Sequence, residues 1–137
     1  MLISRLGIGG HRLSVGYVKT KVVPYVTYIH VFSSVVGEFT YSGFVLSRAG
    51  YDVWMGNYRG NTYSTNHVSL DPAEYEFWKF SWDQMGQYDL PSMLGYVLNH
   101  TQAAKIQYVG HSMGTTAFMA MSDYHQEIYD RYVRLLF

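Results

Sequence analysis

From Gly43 onward the apolar positions fall into two alternating spacings. Gly43-Phe44-Val45-Leu46-Ser47-Arg48-Ala49 suits a short helix, Gly50 ends it, and Tyr51-Asp52-Val53-Trp54-Met55 reads as a buried strand. Gly56 to Asn61 is a loop by composition, and Asp71-Pro72 is expected to open a further helical region, because proline suits the first helical position. Glu74 to Met85 then carries a dense aromatic face. A second clear helix opens at Asp89-Leu90-Pro91, places Met93, Leu94, Val97 and Leu98 at helical spacing, and closes at Asn99-His100-Thr101. Lys105 to Val109 is a short strand rich in β-branched and aromatic residues, Thr115 to Met121 continues as a buried helix, and Arg134-Leu135-Leu136-Phe137 begins another core strand. Helices alternating with strands predict an α/β protein with a mostly parallel sheet.

Residues 1 to 40 are less regular. Tyr17 to Val36 is rich in Val, Tyr and Thr and is expected to supply one or two strands, with Pro24 arguing against a central position there. Gly7-Ile8-Gly9-Gly10 lacks the third glycine that a dinucleotide-binding loop needs and reads as a flexible end.

Composition narrows the functional classes. The 137 residues are 48% hydrophobic, enough for one globular domain or part of one. Ten basic residues balance ten acidic ones, with no basic stripe to neutralise a phosphate backbone, so no nucleic-acid partner is expected. Cysteine is absent, which excludes a disulfide framework and a thiolate metal site. His11, His30, His67, His100, His111 and His125 form no ligand spacing, and neither a metal nor a cofactor is expected. No signal peptide is evident near the start, and the stretch Val22 to Phe32 is too short and too polar for a transmembrane segment.

The candidate chemistry lies at Gly110-His111-Ser112-Met113-Gly114, a Gly-x-Ser-x-Gly pentapeptide. The pattern alone is weak. Its position between a strand and a helix strengthens it, because a serine nucleophile on a strand-to-helix elbow needs small flanking residues to clear the neighbouring backbone. Ser112 is therefore the candidate nucleophile.

Gly50-Tyr51-Asp52-Val53-Trp54-Met55-Gly56-Asn57-Tyr58-Arg59-Gly60-Asn61-Thr62-Tyr63-Ser64 closely resembles a segment of the gastric and lysosomal acid lipases. The resemblance continues through Glu76 to Met85 and Tyr88-Asp89-Leu90-Pro91, and reaches Tyr108 to Thr115 in the same order. It implies a partial α/β-hydrolase fold over residues 41–137, truncated after the nucleophile helix, with residues 1–40 matching poorly. It also implies hydrolysis of neutral lipid esters, triacylglycerols or cholesteryl esters, at a lipid–water interface by a secreted or lysosomal protein. Carried over by position, Ser112 is the nucleophile and the Met113 backbone N–H donates one oxyanion-hole hydrogen bond.

Two departures from the family pattern stand out. The upstream His-Gly pair whose loop supplies the other oxyanion donor is missing, since His30 is followed by Val31. The triad Asp and His follow the serine far downstream in this fold and are expected to be absent from this chain. His125 would sit roughly 20 Å from Ser112 along a continuous helix. Asp123, Glu127 and Asp130 fail by the same distance and read as solvated helix-face charges.

Asp83 and Asp89 are expected to cap or pack, Arg59 to be a structural loop charge, and Trp78 and Trp82 to form core or interface aromatic surface. Asn99-His100-Thr101 matches a glycosylation acceptor. Two functional readings follow: the nucleophile-bearing part of a serine ester hydrolase, or a non-catalytic remnant that binds lipid, a partner or nothing. An outer strand left at Arg134 to Phe137 would expose an unpaired sheet edge, and residues 1–137 on their own are expected to aggregate or to lack a cooperative transition.

Overall fold

A computed structural model describes residues 2–8, 10–18, 27–32 and 38–136. Among the described residues six strands form one sheet: β1 (Leu2–Ile8), β2 (His11–Val18), β3 (Thr27–Phe32), β4 (Asp52–Asn57), β5 (Ile106–Gly110) and β6 (Val133–Leu136). Their spatial order is β1-β2-β4-β3-β5-β6. β2 runs antiparallel to β1 and β4, whereas β4, β3, β5 and β6 are mutually parallel. The expected α/β architecture is present, and the parallel strands need the helices between them as crossovers.

Those crossovers are α1 (Glu38–Arg48) between β3 and β4, α3 (Leu90–Thr101) between β4 and β5, and α4 (Met113–Tyr124) with α5 (Gln126–Tyr132) between β5 and β6. Each end has a local cause. Gly50, at φ 98, lets Tyr51 N–H reach the Leu46 carbonyl and Gly50 N–H reach that of Ser47, the paired bonds of a Schellman stop. Pro91 lies in the first turn of α3, and Gln102 closes that helix in the left-handed region with its N–H on the Leu98 carbonyl.

The sheet is covered on both faces, which explains the unbroken apolar run in β4. Trp54 packs with Leu90, Met93, Leu94 and Val97 of α3 and with Phe118 and Met121 of α4. Val53 and Met55 face the opposite way, against Leu46 of α1 and Val109. A strand buried on both faces loses the polar alternation of a half-exposed one.

Several expectations are corrected. The Gly7–Gly10 run is no loose end: Gly7 and Ile8 pair within β1, and Gly10, at φ 83, turns the chain so that Ile8 faces His11. Glycine is the residue that makes so tight a reversal between antiparallel strands. Strand β3 occupies a central place between β4 and β5, while Pro24, which argued against one, lies outside the described residues.

Asp71-Pro72 opens no α-helix. The Asp71 carboxylate accepts the Ala73 N–H, and only a single 3-10 turn follows, at Tyr75–Trp78. A side chain that binds backbone two residues ahead competes with the helix for the same donors. Helical structure resumes at α2 (Trp82–Gln84), where Ser81, not Asp83, is the cap: its hydroxyl accepts the Asp83 N–H while Gln84 Oε1 accepts the Ser81 N–H. Trp78 and Trp82 are 46% and 58% exposed, so neither belongs to the core.

The hairpin carries a pH-sensitive contact. His11 is buried against His67, Phe77 and Phe80, and its Nδ1 has no hydrogen-bond partner among the described residues. Burial, with the neighbouring charges of Arg59 and His67, lowers its pKa from 6.5 to about 4. A depressed histidine pKa means the fold prefers the neutral ring, so this stability is complete above about pH 6.5 and drains away as pH falls towards 4. The whole window is worth up to about 3 kcal/mol. Denaturant titrations from pH 7 to pH 4 are expected to show that loss, and His11→Phe is expected to flatten it; an unchanged slope in the variant would exclude His11 as its source.

Candidate active site

Ser112 occupies the turn from β5 into α4 at φ 52 and ψ −116, a conformation that L-residues rarely adopt. Its side chain is exposed and makes no capping bond to α4. The turn works only because its neighbours are small. A Cβ on Gly110 would lie 2.8 Å from Tyr108 Cε1 and 3.1 Å from both Gly114 C and Thr115 N. Gly114 is buried in the first turn of α4.

Met113 is the first residue of α4, so its N–H has no acceptor within the helix and is available to a ligand. The positive end of the helix dipole adds to that donor. Around the serine the backbone is fixed by Gly114 N–H to the His111 carbonyl at 2.9 Å and Thr115 N–H to the Ser112 carbonyl at 3.0 Å. His30 lies in β3, in register with Met55 and Val109. The segment after β3, where a second oxyanion donor would be sought, falls at residues 33–37 and outside the described residues.

The other candidates lie away from Ser112. His125 closes the far end of α4, with Nε2 at 2.9 Å from the Gln87 carbonyl and Nδ1 at 3.6 Å from Glu127 Oε1. Asp123, Glu127 and Asp130 are exposed, and Asp130 accepts from Gln126 Nε2 at 3.2 Å. Asp83 accepts the Tyr124 hydroxyl at 2.9 Å, tying α2 to the same end of α4. Asn99 is exposed on the last turn of α3, where its carbonyl accepts Gln102 Nε2 and the Thr101 hydroxyl binds the Val97 carbonyl. Among the described residues no group of three or more His, Asp or Glu side chains is placed to hold a metal ion.

Arg59 is more than a loop charge. It is buried with Asp89, which accepts its backbone N–H at 3.1 Å and Nε at 2.9 and 3.0 Å, with Nη2 bonding to the same carboxylate. Asp89 lies in a π-helical turn, Met85–Asp89, that packs on α4. The packing is close: a Cβ on Gly86 would come within 2.8 Å of the Ala117 carbonyl oxygen and the Met121 nitrogen. These contacts seat the helix that carries the serine.

The strand order, the strained serine and the glycine-cleared elbow belong to a known architecture. The family model described as alpha/beta hydrolase fold matches residues 35–133. The chain belongs to that family. Within it, the resemblance to the acid lipases holds. It is 53% identical over 81 residues to human lysosomal acid lipase/cholesteryl ester hydrolase, covering 58% of this chain and 20% of that protein. Lipase 1 of Drosophila melanogaster is 45% identical over 101 residues, covering 74% and 23%. The bovine gastric triacylglycerol lipase is 53% identical over 81 residues, covering 58% and 20%.

The chain thus spans about a fifth of the length of the curated relatives it matches. Among solved structures, the mouse alpha/beta hydrolase domain-containing protein 10 superposes with a TM-score of 0.63 at 16% identity, covering 98% of this chain and 48% of that one. Est1E from Butyrivibrio proteoclasticus, solved with ferulic acid, gives a TM-score of 0.66 at 16% identity, covering 91% and 49%. At that identity the likeness concerns the fold alone.

Proposed function

We propose that this chain is the nucleophile-bearing part of a serine hydrolase that cleaves neutral lipid esters, with Ser112 as the nucleophile. The observation that carries the reading is the backbone of Ser112, held at φ 52 and ψ −116 on an exposed turn. Strain of that kind persists where surrounding structure over-determines it, and it clusters at reactive residues. The class of ester follows from the relatives, which include a cholesteryl ester hydrolase and a triacylglycerol lipase.

In this reaction Ser112 Oγ forms a bond to the ester carbonyl carbon while a histidine supplied outside the described residues takes its proton. Charge gathers on the carbonyl oxygen, and the Met113 N–H donates to it. The carbon–oxygen bond to the alcohol then breaks, the alcohol leaves with the histidine's proton, and water repeats the sequence to free the fatty acid and regenerate Ser112. Work at a lipid–water interface and passage through the secretory route, with Asn99 as a glycan acceptor, belong to the same proposal. No helix among the described residues is long and apolar enough to cross a membrane.

The test is covalent labelling in the protein expressed from its full native reading frame. A fluorophosphonate is expected to add one phosphonyl group at Ser112, and to block release of oleate from triolein or cholesteryl oleate emulsions. Folded protein that takes up no label, or Ser112→Ala protein that is still labelled, would remove Ser112 from the mechanism.

A further inference from the structure

Beneath the elbow lie two buried phenols that the proposed reaction does not use. Tyr108 and Tyr58 are 0% and 1% exposed. Tyr108 stands on β5, before the serine, yet its hydroxyl donates to the Gly114 carbonyl at 2.8 Å, after the serine. Its ring therefore passes under the turn. The clearance for it is the missing Cβ of Gly110, which would lie 2.8 Å from the ring edge. On the far side the ring stacks on Phe118 of α4, with centroids 4.7 Å apart and planes 19° apart. Since a carbonyl only accepts, the Tyr108 proton is committed to Gly114, and the Tyr58 hydroxyl donates to the Tyr108 oxygen at 3.4 Å.

We propose that Tyr108 is a positioning residue: a strap from β5 to the first turn of α4 that holds Ser112 in its strained geometry, with Tyr58 orienting the strap's hydroxyl. The inference rests on Ser112 being the nucleophile. Left to itself, a serine at φ 52 would relax towards an ordinary backbone conformation, which would turn Oγ and the Met113 N–H away from their shared target. The strap opposes that relaxation by fixing both ends of the turn to one rigid ring. Burial raises both phenol pKa values above the ordinary 10.0, so the strap keeps its protons wherever an ester hydrolase works.

The experiment compares fluorophosphonate phosphonylation kinetics of wild-type, Tyr108→Phe and Tyr58→Phe protein, each expressed from the full native reading frame, with thermal unfolding measured on the same samples. Tyr108→Phe keeps the ring and its stacking but loses the bond, and is expected to slow the maximal phosphonylation rate per folded molecule about tenfold with little change in probe affinity. Tyr58→Phe is expected to slow it about two- to threefold. A purely structural role would lower the melting temperature and leave that rate unchanged.

A folded Tyr108→Phe protein that reacts at the wild-type rate overturns the proposal. If Tyr108→Phe does not fold, Tyr58→Phe decides: a wild-type rate there overturns the strap, and a slowed one supports it. Wild-type protein that is not labelled at Ser112 at all would instead remove the nucleophile on which the strap acts.

Discussion

Ser112→Gly is expected to abolish ester hydrolysis in the full-length protein and to raise its melting temperature by about 2–4 °C. Loss of the hydroxyl removes the proposed nucleophile, and a fall of at least about a thousandfold in kcat is the scale for deleting a serine nucleophile. The stability gain has a separate origin. Holding a residue with a Cβ at φ 52 and ψ −116 costs on the order of 1–3 kcal/mol, and glycine adopts such conformations without that penalty. Against this stands the extra freedom of glycine in the unfolded chain, about 0.5–1 kcal/mol, leaving a net gain near 1 kcal/mol.

Ser112→Ala separates the two effects, because alanine keeps the Cβ. It is expected to be as inactive as the glycine variant and no more stable than wild type. Differential scanning calorimetry with an emulsion assay reads both. Equal melting temperatures for the glycine and alanine variants would mean that the turn stores no strain.

Arg59→Leu is expected to destabilise the protein by about 3–5 kcal/mol at neutral pH, the usual consequence of leaving one half of a buried ion pair behind. Asp89 is 0% exposed, and burial raises its pKa from 3.8 while the Arg59 bonds and charge hold it down. Removing Arg59 lets burial act alone. A raised carboxylate pKa favours the protonated folded state, so that stability is present below the unfolded value of 3.8 and is lost as pH rises through the folded one. The deficit of Arg59→Leu should therefore shrink on acidification.

Asp89→Leu leaves a guanidinium that cannot give up its proton, and its deficit should not shrink in the same way. Arg59→Leu/Asp89→Leu together should recover most of the stability lost by either alone, since an apolar pair of similar volume often replaces a buried ion pair at little cost. Urea titrations at pH 5 and pH 7 on the three variants check each sign. A double variant as unstable as the sum of the two singles would show that the residues do not act as a pair.

Removal of Arg59 also has a consequence at the hairpin. Its charge is one of the causes that depress His11, after burial itself. Acid therefore weakens the wild-type fold through His11, while the arginine variant should gain through Asp89 and lose less through His11. The two histidine-facing elements, the β1–β2 turn and the loop at His67, are joined by Arg12 N–H to the Asn66 carbonyl and Val68 N–H to the Gly10 carbonyl, both at 2.9 Å.

Most of what was legible beforehand is local in the chain. A glycine at φ 98 to end α1, a proline in the first turn of α3, the apolar spacing of Met93, Leu94 and Val97, and the strand–glycine–helix order around Ser112 all act within a few residues. Such features depend on backbone sterics and nearby hydrogen bonds, which the sequence sets directly. The expectation at Asp71-Pro72 failed for a reason of the same kind, because the aspartate carboxylate binds the Ala73 N–H before a helix can use it. The block resemblance to acid lipases added the candidate nucleophile's role.

What composition and spacing could not reveal joins residues far apart. Arg59 meets Asp89 across 30 positions, and Tyr58 meets Tyr108 across 50. Each residue alone looks like a loop charge or a core aromatic, and becomes a buried ion pair or a strap only when β4 and β5 take their places on either side of β3. The hairpin strands β1 and β2 were equally unreadable, since their glycines suit a loose end as well as a tight reversal until β4 offers an edge to pair with. The sequence by itself determined the strand–turn–helix order of the elbow and, apart from the stretch after Asp71-Pro72, the order of helices and strands from Gly43 onward. Only the tertiary structure decided which buried polar groups find partners, because partners distant in sequence are chosen by the packing of the whole sheet and by the high cost of leaving a buried donor or charge alone.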